Sequence, residues 1–345
     1  MSDSFLTLKD IAAREGTDDV VGLIEGVVNV APEIDRIEGR VIRGISYTAR
    51  VRKAIHAGRA FRPANAGTAL GASSFEHERF NCFAFDAQMQ IDEAVAIAAE
   101  ADGDSLGKLM AEEAGGAMRS KAIDLGLQFY QGTSNDAYGP PGLVDFMVSQ
   151  QAQLDSRTGA AIDQVVDAGG STASVEETMW FMHMGPQGIH WLFGGGRGLT
   201  MNPWTTQYVK DSNGKHLRAY KANLFGYIGL SCANWHAVGA IKNIQNSTTT
   251  YSLAGHGVTD GMVATLWSKF PIGLKPNIAF ASQKVIALLQ QARSVTLFAN
   301  ATIPGQDNSG GATNVAPWPT NLPTAGGIPL VPTDSIQPGN AVTAY

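Results

Sequence analysis

The sequence predicts an α+β fold with more than one lobe, on three observations. Residues 259–289 read as a helix, a buried strand and a second helix. Residues 104–131 carry a long helical apolar period. Residues 40–56 are rich in β-branched and aromatic side chains, and the run from Phe75 to Ile91 mixes apolar and polar residues as a strand does. At 345 residues the chain can bury a large core and is too long for one simple layer.

Taken in order, residues 5–15 read as a short helix, with Thr7 as cap, Asp10 three residues later, and Leu6 and Ile11 as a staple. Residues 18–31 read as a second helix whose apolar face includes Val20, Leu23, Ile24, Val27 and Val28, ended by Pro32. Val41, Ile42, Ile45, Tyr47, Val51 and Ile55 then mark extended chain. The small-residue stretch RAFRPANAGTALGASS reads as the tip of a long loop or hairpin, and the run from Phe75 to Ile91 returns as a strand.

The helix over 104–131 has Asp104 or Ser105 as cap, and Leu106, Met110, Ala114, Met118, Leu125 and Phe129 on one face. Gly107, Gly115, Gly116 and Gly126 fall inside it, each costing roughly 1 kcal/mol relative to Ala. Such a helix needs tertiary packing, and its glycines admit another backbone closely. A turn cluster follows at 132–136 and 139–142. Residues 143–253 read as alternating short strands and loops, including MWFMHM, GIHWLFG, a turn at 211–214 and NLFGYIGLSC. Thr259 caps a helix bearing Met262, Val263, Leu266, Trp267 and Phe270, stopped by Pro271. Residues 277–281 form a short buried strand, and Ser282 caps a helix bearing Val285, Ile286, Leu288 and Leu289. Seven of the 15 prolines lie beyond residue 299, so that region reads as loop or arm. GIPLVPTDSI gives a last strand that Pro329 and Pro332 confine to a sheet edge.

Charge narrows the function classes. Only 16% of residues are charged, against about 25% in ordinary globular domains. A chain so poor in charge favours burial of surface against partners, since interface cores are depleted in charge. A Gly-rich loop surface is the other account. Between Arg36 and Arg62 eight basic residues (Arg36, Arg40, Arg43, Arg50, Arg52, Lys53, Arg59 and Arg62) face one acid, Glu38. That segment is net +7, so the rest of a −6 chain carries −13. A basic arm on an acidic body points to contact between copies. Contact with nucleic-acid phosphates and a simply solvated stretch remain as alternatives. Arginine outnumbers lysine seven to one there, which suits bidentate pairing with carboxylate or phosphate.

Catalytic constellations are not legible. The Gly194–Gly198 run lacks the Lys-Ser/Thr of a phosphate loop and reads as a turn. There is no HExxH site. His183, between Met182 and Met184, reads as a satisfied core histidine. Cys82 and Cys232 read as buried small apolar residues, with no disulfide framework or zinc spacing. The pairs Glu112-Glu113 and Glu176-Glu177 read as solvated helix faces. The N-terminus does not read as a signal peptide, and no apolar run reaches membrane-spanning length, so no membrane partner is expected.

The order of four segments carries a resemblance: IEGRVIRGISYTARVRKAI, AIDLGLQFYQGTSNDAYGPPGL, GRGLTMNPWTTQYVKDSNGKHLRAYKANLFGYIGL and VATLWSKFPIGLKPNIAFASQKVIALLQQARS. Together with the terminal GIPLVPTDSI they resemble tailed-bacteriophage major capsid proteins of the Hong Kong 97 type, from about residue 36 to 336. The resemblance implies an N-terminal arm over 1–40 and an extended loop over 41–80. It implies a peripheral domain over 81–135 and 312–345, with 104–131 as its spine helix, and an axial domain over 136–311. It implies a subunit without catalytic or metal residues or cofactor. Such a subunit would assemble with itself into hexamers and pentamers, in the host cytoplasm, as the icosahedral head of a virion. Portal, scaffold and decoration proteins and double-stranded DNA on the inner face are the further partners implied. The eight basic residues are the expected inter-subunit contacts. An encapsulin-like shell protein and a monomeric Gly-rich binding domain are the alternatives.

Overall fold

The computed structural model describes residues 29, 31–55, 61–62, 64–65, 67, 71–101, 105–155, 159–171, 175–210, 213–245, 256–300 and 324–337. The expected helix over 5–15, nearly all of that over 18–31, the loop tip around Arg59 and most of the Pro-rich stretch lie outside these residues.

Two sheets and a separate ribbon form the framework. In the first sheet, β1 (Gly39–Val41), β7 (Ile189–Phe193), β10 (His216–Cys232) and β4 (Phe83–Asp92) lie in that order. Short β8 (Thr200–Met201) and β9 (Thr205–Lys210) also pair with β10. In the second the order is β13 (Thr324–Ala325), β14 (Ile328–Pro332), β12 (Ile278–Ala281), β6 (Glu176–Met182), β11 (Val238–Gln245) and β5 (Val165–Asp167). The ribbon consists of β2 (Ser46–Ala54) and β3 (Ser74–Asn81) alone. The helices are α1 (Glu33–Arg36), α2 (Glu93–Ala101), α3 (Leu106–Gln131), α4 (Leu143–Gln151), α5 (Asp260–Lys269) and α6 (Gln283–Asn300).

The second sheet is covered on both faces. Trp180, Met182, Ile278 and Phe280 pack toward Phe129, Tyr130 and Met147 of α3 and α4. Met179, Phe181, Ala279 and Ala281 pack toward Val263, Leu266, Val285 and Leu289 of α5 and α6. All seven residues of β6 are therefore buried, as a strand between two helical layers requires. This overturns the reading of Glu176-Glu177 as a solvated helix pair. Both open β6, at 4% and 2% exposure, and the Ser282 hydroxyl donates to the Glu177 carboxylate.

The capping residues act as expected. Ser105 Oγ accepts from Lys108 N at 3.2 Å, Thr259 Oγ1 from Met262 N at 3.3 Å, and Ser282 Oγ from Val285 N at 3.3 Å. α3 crosses three packing zones. Leu109 meets Ile91 and Val95, Ala114 meets Met89 and Leu224, and Leu125 and Phe129 enter the main core. Met118, expected on the buried face, is 45% exposed. Among the four glycines only Gly126 is closely approached, by Glu33, Ser335 and Ala31. A Cβ at Gly107, Gly115 or Gly116 would meet nothing among the described residues. The helix ends at Gly132, whose positive φ of 56° suits glycine and where Gly142 and Asp145 crowd the backbone.

Two further expectations are corrected. The alternation of strands and loops from residue 143 omitted α4, which begins where the Asp145 carboxylate accepts from Gly142 N at 3.0 Å and buries Leu143, Phe146 and Met147. The last strand, β14, is not at an edge. Beyond the Gly326-Gly327 turn, whose positive φ values suit a tight hairpin, β13 pairs with Ile328 and Pro329 on its outer side, so Pro329 sits inside the sheet order. Pairing crosses long stretches of chain: β14 runs parallel to β12, and β4 pairs with β10 over ten residues.

Candidate assembly surface

The ribbon places most of the basic segment. β2 and β3 pair antiparallel, with Ser46 opposite Asn81 and Arg52 opposite Phe75. Alternation sends Tyr47, Ala49, Val51 and Lys53 toward the body and Thr48, Arg50, Arg52 and Ala54 to solvent. On β3, Phe80 and Glu78 face inward, while Arg79, His77 and Phe75 share the outer face.

The inner face is anchored. Tyr47 stacks with Phe80 at 6.5 Å, and Phe80 meets Phe146 of α4 edge-on at 6.4 Å. Lys53 Nζ lies 2.9 Å from Glu78 Oε1, 3.4 Å from Glu76 Oε2 and 3.2 Å from Gln153 Oε1. Trp235 Nε1 donates to the same Glu78 oxygen at 2.8 Å. Lys53, expected to meet a neighbouring copy, thus pairs within its own chain.

The outer face is different in kind. The Arg50 and Arg52 guanidinium carbons lie 4.0 and 5.3 Å from the centre of the Phe75 ring. That ring is 44% exposed. Two cations thus lie against one exposed aromatic ring, an arrangement fitted to planar carboxylates. Val41, Ile45, Ile55 and Phe61 are also exposed along this part of the chain. The remaining basic residues are dispersed. Arg36 ends α1 and is exposed; Arg40 lies in β1 with its guanidinium 5.0 Å from the Tyr47 ring; Arg43 and Arg62 are exposed; Arg59 lies outside the described residues. The structure therefore gathers Arg50 and Arg52, and adds Arg79, His77 and Phe75, which charge counting over 36–62 did not reach. Alternation of β3 against β2 was the signal that could have found them.

The other singled-out residues have structural surroundings. His183 Nδ1 lies 2.8 Å from the Lys275 carbonyl. The glycine run is a turn: Gly195 and Gly196 have φ near +73° (74° and 72°) and donate to the Gly44 and Ile42 carbonyls. Cys82 and Cys232 are buried, and burial pushes the Cys232 thiol up to about 12. Among the described residues no cluster of three or more His, Cys, Asp or Glu is placed to hold a metal, and no helix is long and apolar enough to cross a membrane.

Comparison with known proteins gives one family and a fold. The family model described as Major capsid protein GP7 matches residues 44–306. A chain of the cryo-EM structure of bacteriophage Epsilon15 aligns at TM-score 0.68 and 16% identity, over 100% of this chain and 99% of that one. The capsid of bacteriophage JBD30 aligns at TM-score 0.46 and 10% identity, over 83% of this chain and 90% of that one. The capsid of Myoviridae phage XM1 aligns at TM-score 0.43 and 11% identity, over 70% and 99%. No curated protein matches.

Proposed function

The chain belongs to the Major capsid protein GP7 family and is a structural capsid subunit that associates with its own copies, and from that premise we propose how it does so. Copies meet through the outer face of the β2–β3 ribbon, where the cations of Arg50 and Arg52 engage carboxylates of a neighbour. Arg36, Arg40, Arg43, Arg59 and Arg62 extend that contact, while Lys53 holds the ribbon to its own body. The observation that carries this reading is the exposed Phe75 ring flanked by two guanidinium groups, on a chain whose remaining residues carry −13.

Contacts of ribbon to body are heterologous, and heterologous contacts that close generate rings. The proposed assembly is therefore an icosahedral head of hexamers and pentamers around the double-stranded DNA of a tailed phage. It forms in the bacterial cytoplasm with portal, scaffold and decoration proteins as further partners. The chain contributes no catalytic step. Its segments take the Hong Kong 97-type roles of arm (1–40), extended loop (41–80), peripheral domain (81–135 and 312–345) and axial domain (136–311). Backbone pairing crosses those boundaries at β4–β10 and β12–β14.

Negative-stain microscopy beside sedimentation of the purified full chain tests the proposal. Closed shells or six- and five-membered rings are expected. A persistent monomer whose residues 36–80 resist protease would overturn it, and shells loaded with protein in place of DNA would favour a cargo compartment.

A further inference from the structure

The ribbon covers a histidine that the assembly contacts leave unused. His190 lies in β7, 3% exposed, directly opposite Ser231 of β10. Among the described residues, neither ring nitrogen of His190 nor the Ser231 hydroxyl makes a well-formed hydrogen bond, and the ring is left only with the nearby backbone of Gly185 and Gly188. Burying such groups unpaired is costly, so they mark a place where the chain gives up stability. Tyr47 of β2 meets the His190 ring edge-on, centroids 6.2 Å apart. Arg40 lies 5.0 Å from the other ring of that pair, Tyr47, and donates to its hydroxyl at 3.3 Å. His190, Tyr47 and Arg40 thus form one stack joining the sheet to the ribbon.

The charged groups acting on His190 are Arg40, which opposes an imidazolium, and Glu38, which favours it more weakly. The backbone of Gly185 and Gly188 lies near enough to offset part of the burial, but burial leads, followed by Arg40, and the ring titrates below 6.5. The other strands flanking β7 are hydrogen-bonded to it within one sheet. The ribbon is a separate two-stranded sheet, held to the body by side chains and not by a shared ladder of strand pairing.

We propose that His190 is an acid-sensitive release for the ribbon: protonation of its ring unseats Tyr47 and frees β2 and β3 from the body. The sign follows from linkage. A histidine whose seated pKa is depressed binds its proton more readily once uncovered, so seating is intact above 6.5 and weakens as pH falls below it. The device belongs to one subunit and does not depend on the ribbon being the assembly contact.

Amide exchange of the unassembled full chain, corrected for intrinsic rates, tests it over residues 46–54 and 74–81. Between about pH 7.5 and 5.5 an uncovered histidine of ordinary pKa gives about tenfold faster ribbon exchange in the wild type. His190→Gln is expected to abolish that rise. A wild-type ribbon whose exchange does not change, or an equal rise in His190→Gln, overturns the proposal. Should that variant not fold, exchange of the imidazole C2 proton in the wild type decides. A His190 midpoint below 6.5 that coincides with ribbon opening supports the release, and a midpoint at or above 6.5 overturns it.

Discussion

Lys53 and Glu78, 25 residues apart in sequence, form a 2.9 Å ion pair that bridges the two strands of the ribbon. Because Trp235 donates to the same carboxylate oxygen, this one pair also fastens the ribbon to the body. Glu78 is only 13% exposed, so loss of its cation leaves a nearly buried carboxylate underpaired. Lys53→Met is expected to cost about 1–3 kcal/mol and to speed amide exchange selectively in β2 and β3. Denaturant unfolding and exchange mapping check both parts.

Reversing the outer charges should act on assembly and not on the fold. Arg50→Glu with Arg52→Glu removes two solvent-facing cations whose contact within the chain is the Phe75 ring. The double variant should keep the wild-type melting temperature within a few degrees, since exposed substitutions of this kind cost about 0.5 kcal/mol or less. Shell or ring formation should be lost in sedimentation. Normal shells would remove these arginines from the contact.

The glycines of α3 should separate into two classes. At Gly115 a Cβ meets nothing among the described residues, so Gly115→Ala should stabilise the unassembled chain by about 1 kcal/mol through helix propensity. At Gly126 a Cβ would meet Glu33, Ser335 and Ala31, so Gly126→Val should destabilise it by about 1–3 kcal/mol through overpacking. Thermal melts of the two variants beside the wild type test the contrast.

Glu33 offers a pH test at another place. Its side chain is fully buried and accepts from Thr333 Oγ1 at 3.0 Å, with the Ser335 hydroxyl also acting on the carboxylate. Burial raises its pKa above 4.5. A carboxyl with a raised folded pKa penalises the native state as pH climbs from the unfolded pKa through the folded one. Glu33→Gln should therefore gain stability relative to the wild type as pH rises from 4.5, and the gain should vanish below it. Urea unfolding of both proteins across that range gives the answer.

Neither cysteine should react while the chain is folded. Cys82 is 8% and Cys232 1% exposed, and burial raises both thiol pKa values. Iodoacetamide at about pH 8, near the unperturbed thiol pKa, should label both sites in denaturant and neither in the native chain.

Local chemistry made much of the fold readable from the sequence. Ser105, Thr259 and Ser282 determine helix starts because a cap needs only its own next three residues. Pro271 determines a stop, and the unbroken apolar run at 278–281 determines a strand buried on both faces. The excess of arginine over 36–62 was equally plain. Tertiary structure decided the rest, because it depends on what lies opposite. Glu176 and Glu177 look solvated until β6 is seen between two helical layers. The helix at 143–151 was hidden because its first-turn carboxylate, Asp145, accepts both from Gly142 N and from Thr133 in the preceding turn. Lys53 looks like one more exposed cation until β2 and β3 pair. That pairing brings a carboxylate from 25 residues away to its ammonium and turns Arg50 and Arg52 outward beside Phe75. Sequence determined which residues carry charge and where elements begin; register, in which one residue's shift exchanges the two faces of a strand, decided which charges are spent inside the subunit and which are left for a neighbour.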